Sequence, residues 1–429
     1  MASKIGVVGC GYVGLVTGAC FASLGHDVLC ADIDADRIEK LSKGFIPIFE
    51  PGLEELVREG IASQRLRFTT STRTAAEESE YIFICVQTPQ LPDGNANMSF
   101  VEDAAREIAG GLSPRSIVIN KSTMPVGSVE RVRQVAEGAG AVEVHFVSNP
   151  EFLREGSAVY DFLHPDRIVI GSDDPVAAGR VSQLYTGLHA PILITDAASA
   201  EMIKYASNAF LAMKISFANG IANLCAAVGA DAAEVTLGMG YDRRIGFEFL
   251  KPGPGFGGSC FPKDSSALLA LAREQGVPFA LLDATLEVNA SQISRIVAMI
   301  EASLGELNGR RIGVLGLAFK ANTDDVRDSP AIEICRRLLE SGAEVVATDP
   351  AGSERAASLL PGLRLGPDPA STAEGADCLA LLTEWEDFRW LDYEAIGATM
   401  ARKIMIDARN LLDPAALRRA GFDYYGIGR

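Results

Sequence analysis

Short runs of aliphatic and β-branched residues alternate with longer amphipathic segments through the first half of the chain. This alternation predicts a parallel sheet whose strands are connected by crossover helices. The runs that predict its strands are Lys4–Val8, Asp27–Ala31, Tyr81–Val86, Ser116–Asn120, Val144–Val147 and Arg167–Gly171.

The pattern changes at Ala197. From there to Val228 apolar residues recur at steps of three and four with no strand-like run between them, which predicts one long helix. A helix of this length is typical of an interdomain spine or a subunit contact. A second strand and helix alternation then predicts strands at Ile312–Leu315, Glu344–Thr348, Cys378–Leu382 and Lys403–Asp407. We therefore expect an α/β domain at 1–196, a helical middle at 197–300 and a second α/β domain at 301–429.

Composition narrows the class of protein. Hydrophobic residues at 48% and charged residues at 22% are typical of a soluble globular chain. A formal net charge of −17 disfavours general binding to nucleic acid or to an anionic membrane. Glycines interrupt the apolar N-terminal run, and no stretch approaches the roughly 18 apolar residues of a membrane span. Eight scattered cysteines and only four histidines predict reduced thiols and no metal site, as expected in the cytoplasm.

A glycine turn follows the first predicted strand in the pattern GxGxxG. Gly9 permits a tight turn, Gly11 allows a pyrophosphate to approach the backbone, and Gly14 lets the next helix pack closely on the strand. Asp32 ends the second strand, where a carboxylate binds the ribose hydroxyls of NAD and repels the 2′-phosphate of NADP. The nearby cation Arg37 keeps NADP from being wholly excluded, but NAD is favoured.

The second α/β domain also opens with a strand and a glycine turn, at Gly316. The tight GxG pair is absent there, and the next acid at a strand end, Asp349, is much farther along the chain. Two interpretations stay open: a fold adapted to another phosphate-bearing ligand, with Lys320 supplying charge, or a purely structural domain.

The segment Lys251–Asp264 combines glycines and prolines that exclude a helix or a central strand, and it presents one thiol, Cys260. Lys263 is placed to stabilise a thiolate, and Asp264 to orient a water or accept a proton. A thiol beside a dinucleotide site suggests capture of an aldehyde as a thiohemiacetal, oxidation to a thioester and hydrolysis to an acid. The alternative is a structural cysteine.

Several polar residues are placed to complete such a site. Lys204 and Asn208 share one face of the predicted long helix, where a lysine could stabilise a developing alkoxide. Thr88, Thr123 and Glu151 follow strands, and ligands of open parallel sheets bind beyond the carboxyl ends of strands. Each of these residues could equally be an ordinary cap, turn or surface residue.

The motifs together resemble the nucleotide-sugar 6-dehydrogenases. The resemblance extends over essentially the whole chain, and its most specific part is the proline and glycine string that ends in Cys-Phe-Pro-Lys-Asp. The matching stretches are Gly9–Gly14, Asn149–Gly156, Asp242–Gly246, Phe249–Asp264, Gly316–Lys320, Asp325–Arg327 and Asp407–Asn410. Two positions depart from the usual pattern, with Arg37 where many relatives hold lysine and Cys10 where a small residue is usual.

The resemblance implies two Rossmann-like, doubly wound domains joined by a long central helix that dimerises. It implies a cytoplasmic enzyme that converts UDP-glucose to UDP-glucuronate with two NAD per turnover. On this implication Cys260 is the nucleophile, Lys204 steadies the alkoxide and oxyanion, and Asn208 holds the sugar beside it.

The same resemblance implies further roles. Asp264 and Thr123 would position the hydrolytic water, Glu151 would handle protons, and Arg244 would reach the substrate of the other subunit in a homodimer. The residues implied to bind NAD, beside the glycines, are Val13, Asp32, Arg37, Thr88, Thr123, Glu155, Lys263 and Arg327. The residues implied to bind the nucleotide sugar, beside Lys204, Asn208 and Arg244, are Glu151, Phe152, Leu153, Arg154, Glu155, Phe249, Leu250, Lys251, Pro252, Gly253, Gly257 and Lys320.

Other functions stay open. A GDP-mannose or UDP-N-acetylhexosamine 6-dehydrogenase is an alternative of the same class, although the stretches Asp242–Gly246 and Phe249–Gly253 favour UDP-glucose. A two-electron 3-hydroxyacid dehydrogenase shares the first domain and the long helix but needs no thiol. A non-catalytic nucleotide sensor is disfavoured because Cys260, Lys204 and Asp264 are all present.

Overall fold

The computed structural model describes residues 2–429, which form two compact units. The first contains the chain up to Ser207 together with Ser266–Gln275. The second contains Asn208–Ser265 together with Gly276–Arg429. The three predicted domains, 1–196, 197–300 and 301–429, are a finer division, which stays a prediction.

The first unit is built on an eight-stranded sheet with the order β3-β2-β1-β4-β5-β6-β7-β8. Its strands are β1 (Lys4–Val8), β2 (Asp27–Ala31), β3 (Leu66–Thr69), β4 (Tyr81–Ile84), β5 (Ile117–Asn120), β6 (His145–Ser148), β7 (Ile168–Gly171) and β8 (Ile192–Thr195). All neighbours are parallel except β6 and β7, which pair antiparallel at Ser148 and Gly171. The reversal of strand order between β1 and β4 creates a switch point at the carboxyl ends of the strands, where such sheets bind ligands.

Helices cover both faces of this sheet. They are α1 (Tyr12–Ser23), α2 (Ala35–Ser42), α3 (Leu53–Ala62), α4 (Thr72–Glu77), α5 (Ser99–Ala109), α6 (Ser128–Gly138), α7 (Ala158–Leu163) and α8 (Pro175–Gln183). Alternate residues of the strands face opposite sides, so Val7 and Phe83 join one buried cluster while Val8 and Ile84 join the other. Burial on both faces explains why the strands read as continuous apolar runs.

Four helices follow: α9 (Ala197–Val228), α10 (Ala232–Gly240), α11 (Phe261–Glu274) and α12 (Ala280–Leu304). The helix predicted over Ala197–Val228 is therefore confirmed. The expectation that no segment has the composition of a membrane span was wrong for α9, since its most apolar 18-residue window has a mean hydropathy of 1.4. The core helices of soluble proteins can have the same length and composition, so these two features alone do not identify α9 as a membrane-spanning helix.

The second unit contains a six-stranded, fully parallel sheet with the order β11-β10-β9-β12-β13-β14. Its strands are β9 (Arg311–Leu315), β10 (Glu344–Thr348), β11 (Arg364–Leu365), β12 (Cys378–Leu381), β13 (Ile404–Asp407) and β14 (Asp423–Gly426). Its later helices are α13 (Pro330–Glu340), α14 (Ser353–Leu359), α15 (Pro369–Ala373), α16 (Glu386–Arg389), α17 (Tyr393–Thr399) and α18 (Pro414–Arg419). The strand order matches the first six strands of the other sheet, and the predicted fold of two Rossmann-like domains connected along the chain by a long helix is confirmed.

Candidate active and cofactor-binding site

The glycine turn after β1 has the geometry of a pyrophosphate site. Gly9 has a φ of 98°, which a side chain would strain. A Cβ on Gly14 would lie 1.8 Å from the carbonyl oxygen of Gly9, so only glycine allows α1 to pack this closely. A Cβ on Gly11 would meet no atom within 4 Å, because Gly11 faces open space. The turn therefore leaves room for a phosphate at the start of α1, while Val13 packs against the core beneath it.

Asp32 lies at the end of β2 and joins this turn to the loop that follows β2. Its carboxylate accepts hydrogen bonds from the backbone amides of Cys10 at 2.8 Å and Asp34 at 3.0 Å. The guanidinium of Arg37 donates to the same carboxylate at 2.9 Å. A carboxylate at this place suits ribose hydroxyls and repels a 2′-phosphate, and the ion pair partly neutralises Arg37.

Thr123 follows β5 on a loop that hydroxyl groups fasten to the end of β4. Thr88 donates from Oγ1 to the carbonyl oxygen of Thr123 at 2.9 Å, and Ser122 donates from Oγ to the carbonyl oxygen of Val86 at 2.6 Å. Both threonines are buried. The structure thus brings the predicted pair Thr88 and Thr123 together at the carboxyl edge of the sheet.

Glu151, after β6, forms a buried ion pair with Lys204 of α9. The Nζ of Lys204 lies 3.0 Å from Oε1 of Glu151, and their side chains are 4% and 5% exposed. The backbone amide of Leu153 donates to the other carboxylate oxygen at 2.6 Å. Burial of two charges carries a desolvation cost, so such a pair is weak evidence for stability and better explained by chemistry at the site.

The side chains that follow Glu151 are held by cations and carboxylates. The guanidinium carbon of Arg167 lies 3.6 Å from the centroid of the Phe152 ring. The Nζ of Lys204 lies 5.2 Å from the same centroid. Arg154 binds Asp161 with two nitrogens at 3.0 and 2.6 Å. Leu153 packs against the core and Glu155 is half-buried.

Sequence reasoning missed a second buried lysine at this edge. Lys121 directly follows β5 and is 5% exposed, with its Nζ 3.1 Å from Oδ1 of Asn149 and 3.4 Å from the hydroxyl of Tyr185. Burial lowers the pKa of Lys121 to about 8, and the negative charge of Glu151 opposes this shift. The sequence showed only that Lys121 follows a strand; its burial and its distant partners Asn149 and Tyr185 could not be predicted from it.

The thiol loop of the second unit is buried from Pro252 to Gly258 and fixed by side-chain amides. Asn219 accepts from the amide of Gly253 at 2.8 Å, and Asn289 bonds both backbone groups of Phe256 at 2.7 and 3.1 Å. A Cβ on Gly257 would lie 2.1 Å from the carbonyl oxygen of Asp328, so this glycine marks a close approach between chain segments. The loop is rigidly packed rather than a mobile surface turn.

Cys260 ends this loop at the start of α11. Its carbonyl oxygen accepts the amide of Asp264 at 2.8 Å, and its Sγ lies 3.5 Å from Oγ of Ser259. All eight cysteines lie within the described residues 2–429, and Cys260 is the only one of them that is not buried. By contrast, burial raises the pKa of Cys85 and of Cys335 to about 12. A thiol at the N-terminus of a long helix, half-exposed, has the placement of a reactive cysteine.

Asp264, one turn into α11, is fully buried between an amide and an ammonium group. Asn208 donates from Nδ2 to one carboxylate oxygen at 2.6 Å, and Lys263 donates from Nζ to the other at 2.6 Å. The sequence-predicted residues Asn208, Asp264 and Lys263 therefore form one cluster beside the backbone of Cys260.

The predicted substrate residues of the second unit differ in how they are held. Phe249 has a φ of 62°, an unusual backbone conformation for an aromatic residue, and its ring lies 6.0 Å from that of Phe261. Leu250 and Pro252 are buried, whereas Lys251 is exposed. Gly253 lies close to Arg409, since a Cβ added at Gly253 would lie 3.3 Å from a guanidinium nitrogen of Arg409.

The remaining predicted cations lie on loops. The side chain of Arg244 is 89% exposed, and its guanidinium donates hydrogen bonds to the carboxylate of Asp242. These hydrogen bonds raise the pKa of Arg244. Arg327 chelates Asp325 through two nitrogens, and Lys320 lies 5.5 Å from the ring of Phe319. Within residues 2–429 no group of three His, Cys, Asp or Glu side chains is arranged to hold a metal ion.

Comparison with known proteins divides the chain into three matched parts. Residues 3–189 match the NAD binding domain of the UDP-glucose/GDP-mannose dehydrogenase family, residues 198–291 its central domain, and residues 313–414 its UDP binding domain. The chain is 47% identical to a UDP-glucose 6-dehydrogenase of Rhizobium meliloti, over 99% of each chain. It is 45% identical to one of Bacillus subtilis, over 99% of this chain and 93% of the relative.

Solved structures agree with these matches. A UDP-glucose dehydrogenase from Pyrobaculum islandicum superposes with a TM-score of 0.94 at 41% identity, covering 100% of this chain and 98% of the other. A UDP-D-ManNAc dehydrogenase from Pyrococcus horikoshii gives 0.89 at 30% identity, covering 99% of each chain.

Proposed function

Because the chain belongs to the UDP-glucose/GDP-mannose dehydrogenase family, we propose that it oxidises UDP-glucose to UDP-glucuronate in a four-electron reaction. It is an NAD-dependent dehydrogenase, and each NAD⁺ accepts one hydride, so the proposed conversion consumes two NAD⁺ and one water. The observation that carries the proposal is the accessible thiol of Cys260 beside the buried cluster of Asp264, Lys263 and Asn208. A one-step alcohol dehydrogenase has no use for that thiol.

In the first oxidation the C6 hydroxyl of the glucose unit loses a proton and its carbon loses a hydride. Lys204 stabilises the developing alkoxide, and Glu151 fixes the position of that ammonium through the 3.0 Å ion pair. Asn208, whose amide is oriented by Asp264, holds the sugar hydroxyls.

Covalent capture then retains the aldehyde. The thiolate of Cys260 adds to C6 to form a thiohemiacetal, and loss of the second hydride from C6 leaves a thioester. Water adds to the thioester carbonyl, the Cys260 thiolate leaves, and the acid is released. Asp264 and Thr123 position this water and Glu151 accepts its proton.

We assign the cofactor and the nucleotide sugar to two sets of residues that share only Glu155. NAD is held by Gly9, Gly11, Val13, Gly14, Asp32, Arg37, Thr88, Thr123, Glu155, Lys263 and Arg327. The nucleotide sugar is held by Glu151, Phe152, Leu153, Arg154, Glu155, Lys204, Asn208, Arg244, Phe249, Leu250, Lys251, Pro252, Gly253, Gly257 and Lys320. The open space at Gly11 and the left-handed backbone at Phe249 support these two assignments.

The direct test measures NADH formed per UDP-glucose consumed, with limiting sugar and purified protein. A ratio near two is expected, whereas a ratio near one would mean that the aldehyde is released and the covalent scheme fails. Cys260→Ala should abolish acid formation, and Cys225→Ala, which removes a buried thiol elsewhere, should preserve it.

Two further measurements separate the alternatives. Alkylation by iodoacetamide should modify Cys260 selectively and inactivate the enzyme, and UDP-glucose should protect it; a two-electron hydroxyacid dehydrogenase would lose no activity. Comparison of kcat/KM for UDP-glucose, GDP-mannose and UDP-N-acetylhexosamines should favour UDP-glucose. Binding of NAD without turnover of any of them would indicate a nucleotide sensor.

We also infer a cytoplasmic homodimer. Phe210, Phe217 and Leu224 lie at seven-residue steps on α9 and are 59%, 51% and 59% exposed, so one face of this helix offers apolar surface to a second copy. The exposed guanidinium of Arg244 supports a contribution across such an interface. Phe217→Glu should convert the dimer to a monomer in analytical ultracentrifugation, and an unchanged mass would contradict this assembly.

A further inference from the structure

Glu201 of α9 is a buried carboxylate to which the proposed reaction assigns no role. It is 4% exposed, and it accepts hydrogen bonds from the backbone amides of Gly127 at 2.6 Å and Val129 at 2.9 Å. These amides begin α6. Gly127, the residue that precedes α6, has a φ of 93° and no side chain with which to cap the helix. Glu201 therefore supplies from another helix the side-chain acceptors that cap α6 and that the sequence of α6 itself lacks.

The loop that Glu201 holds carries Thr123. This Thr123 loop, residues 121–127, leaves β5 and is fastened at its start by the hydroxyls of Ser122 and Thr88. Its far end is held by the carboxylate of Glu201. Thr123 lies between these two points, so its position depends on both of them.

Glu201 also lies one turn before Lys204 on α9. A cavity of about 10 Å³ is lined by Thr123, Glu201 and Lys204 together with Asn120, whose side-chain amide has no hydrogen-bond partner within residues 2–429 and is 4% exposed. This volume is enough for about one water molecule. Thr123, Glu201 and Lys204 therefore line one small cavity, and a change at Glu201 acts on the loop and on the helix together.

We propose that Glu201 is a positioning residue that fixes the Thr123 loop against the helix that carries Lys204. The inference rests on the function proposed above, in which Thr123 positions the hydrolytic water and Lys204 stabilises the oxyanion. Glu201 touches neither substrate nor cofactor in this role. Its effect passes through the backbone of residues 127–129.

The test compares Glu201→Gln with Glu130→Gln. The first variant keeps the shape of the side chain but exchanges one acceptor oxygen for an amino group that faces backbone donors. The second removes an exposed charge from the first turn of α6, where Glu130 pairs with Arg133 at 3.0 Å and accepts from Gln134 at 2.9 Å. Circular dichroism and thermal unfolding of both variants check that each of them is folded.

Two readouts are required. Amide hydrogen exchange should become about tenfold faster in peptides covering residues 122–130 of Glu201→Gln, and nowhere else in the first unit. The kcat should fall about tenfold while KM for UDP-glucose and NAD stays within about twofold, because a misplaced Thr123 slows chemistry rather than binding. Glu130→Gln should leave both readouts unchanged, and Glu201→Asp should lie between glutamine and the wild type.

Failure of the inference is distinguishable from failure of the proposed function. If the wild type forms two NADH per UDP-glucose and Glu201→Gln retains its kcat or its exchange pattern, Glu201 does not position the loop. If the wild type does not oxidise UDP-glucose, the proposed function falls, and unchanged exchange in residues 122–130 would still overturn the positioning role.

Discussion

The two sheets share one strand order but use their glycine turns differently. In the first unit α1 begins immediately after Gly11, so a helix N-terminus lies at the turn. In the second unit the corresponding helix α13 begins only at Pro330, and residues 317–329 intervene after Gly316. The anion-binding end of a helix is therefore present beside the first turn and displaced from the second.

The acids at the ends of β2 and β10 show the same difference. Asp32 accepts one amide from its glycine turn, at Cys10. Asp349 accepts two, from Leu317 at 2.7 Å and Ala318 at 2.9 Å, and also the indole nitrogen of Trp385 at 3.1 Å. The second unit thus satisfies internally the polar groups that a dinucleotide would otherwise meet.

The ends of the strands that correspond to each other, β5 and β13, extend the comparison. The side-chain amide of Asn120 is buried without a partner in the described part of the chain. Asp407, at the end of β13, accepts from the amide of Leu412 at 2.8 Å and from the hydroxyl of Tyr424 at 3.0 Å. The unpaired side-chain amide of Asn120 therefore marks the ligand-binding edge of the first sheet. At the same edge of the second sheet, the carboxylate of Asp407 already has its hydrogen-bond partners within the protein.

The largest expected effect of a substitution is on stability, at Asp349. Replacement by alanine should lower the free energy of unfolding by about 3 kcal/mol, because the amides of Leu317 and Ala318 and the indole of Trp385 lose their shared acceptor. Urea denaturation followed by tryptophan fluorescence measures this, since Trp385 and Trp390 both lie in the second unit. The affinity of this variant for NAD should stay within about twofold of the wild type. A large loss of NAD affinity with normal stability would contradict the structural role of Asp349 and place the cofactor at the second glycine turn.

The next effect is on cofactor binding, at Gly11. Gly11→Val should weaken NAD binding about 100-fold, because the added side chain occupies the space where the pyrophosphate approaches, at a cost of about 2.7 kcal/mol. Stability should change little, since a Cβ there meets no atom within 4 Å. Isothermal titration with NAD and thermal unfolding measure the two quantities.

The matched control for this substitution is Gly316→Ala in the second turn. Gly316 has a φ of 94°, and its Cβ would lie 2.4 Å from that of Thr383. That variant should lose stability and keep its NAD affinity. Equal losses of NAD affinity in both variants would contradict the assignment of the cofactor to the first turn.

Much of this contrast could be predicted from the sequence, because it depends on local spacing. The GxGxxG pattern and the strand ending in Asp32 indicated the first turn, and the missing GxG pair indicated that the second was different. The strands β3, β8, β11 and β14 were missed. Of these, β3 is only four residues long and alternates apolar with polar residues, whereas β8 is an apolar run that lies exposed at the edge of the sheet. β11 has two residues, and β14 begins with an exposed aspartate and ends in glycine.

The candidate site was predictable only in part. Cys260 and Asp264 stand out by composition and spacing in one loop. Lys121 and Glu201 do not, because their importance comes from burial and from partners far along the chain, at Asn149 and Val129. A sequence pattern gives no signal for a carboxylate that caps a helix distant in sequence.

A smaller effect concerns the choice between NAD and NADP, at Asp32. Asp32→Asn should weaken NAD binding about tenfold, since one hydrogen bond to a charged acceptor is lost, about 1.4 kcal/mol. It should also weaken discrimination against NADP, because Arg37 loses its 2.9 Å partner and becomes available to a 2′-phosphate. Ratios of kcat/KM for the two cofactors measure this. Asp349→Asn is the control and should leave the ratio unchanged.

The smallest effect is a pH dependence of stability that originates in the first unit. Burial raises the pKa of Glu201 from 4.5 to about 7, although the amides of Gly127 and Val129 oppose the shift. An acid whose folded pKa is raised binds more protons in the folded state than in the unfolded state between these values. Its contribution to stability is therefore complete below pH 4.5 and is lost as the pH rises through 7.

Glu201→Gln should remove that contribution, so that the wild type loses on the order of 1 kcal/mol relative to the variant between pH 5 and pH 7.5. Differential scanning calorimetry at the two pH values measures this difference. Asp407→Asn provides the comparison in the second unit, because burial also raises the pKa of Asp407 and its variant should show the same sign. A wild type that gains stability over Glu201→Gln as the pH rises would mean that the helix cap outweighs burial, and the carboxylate of Glu201 would then be a stabilising anion rather than a strained one.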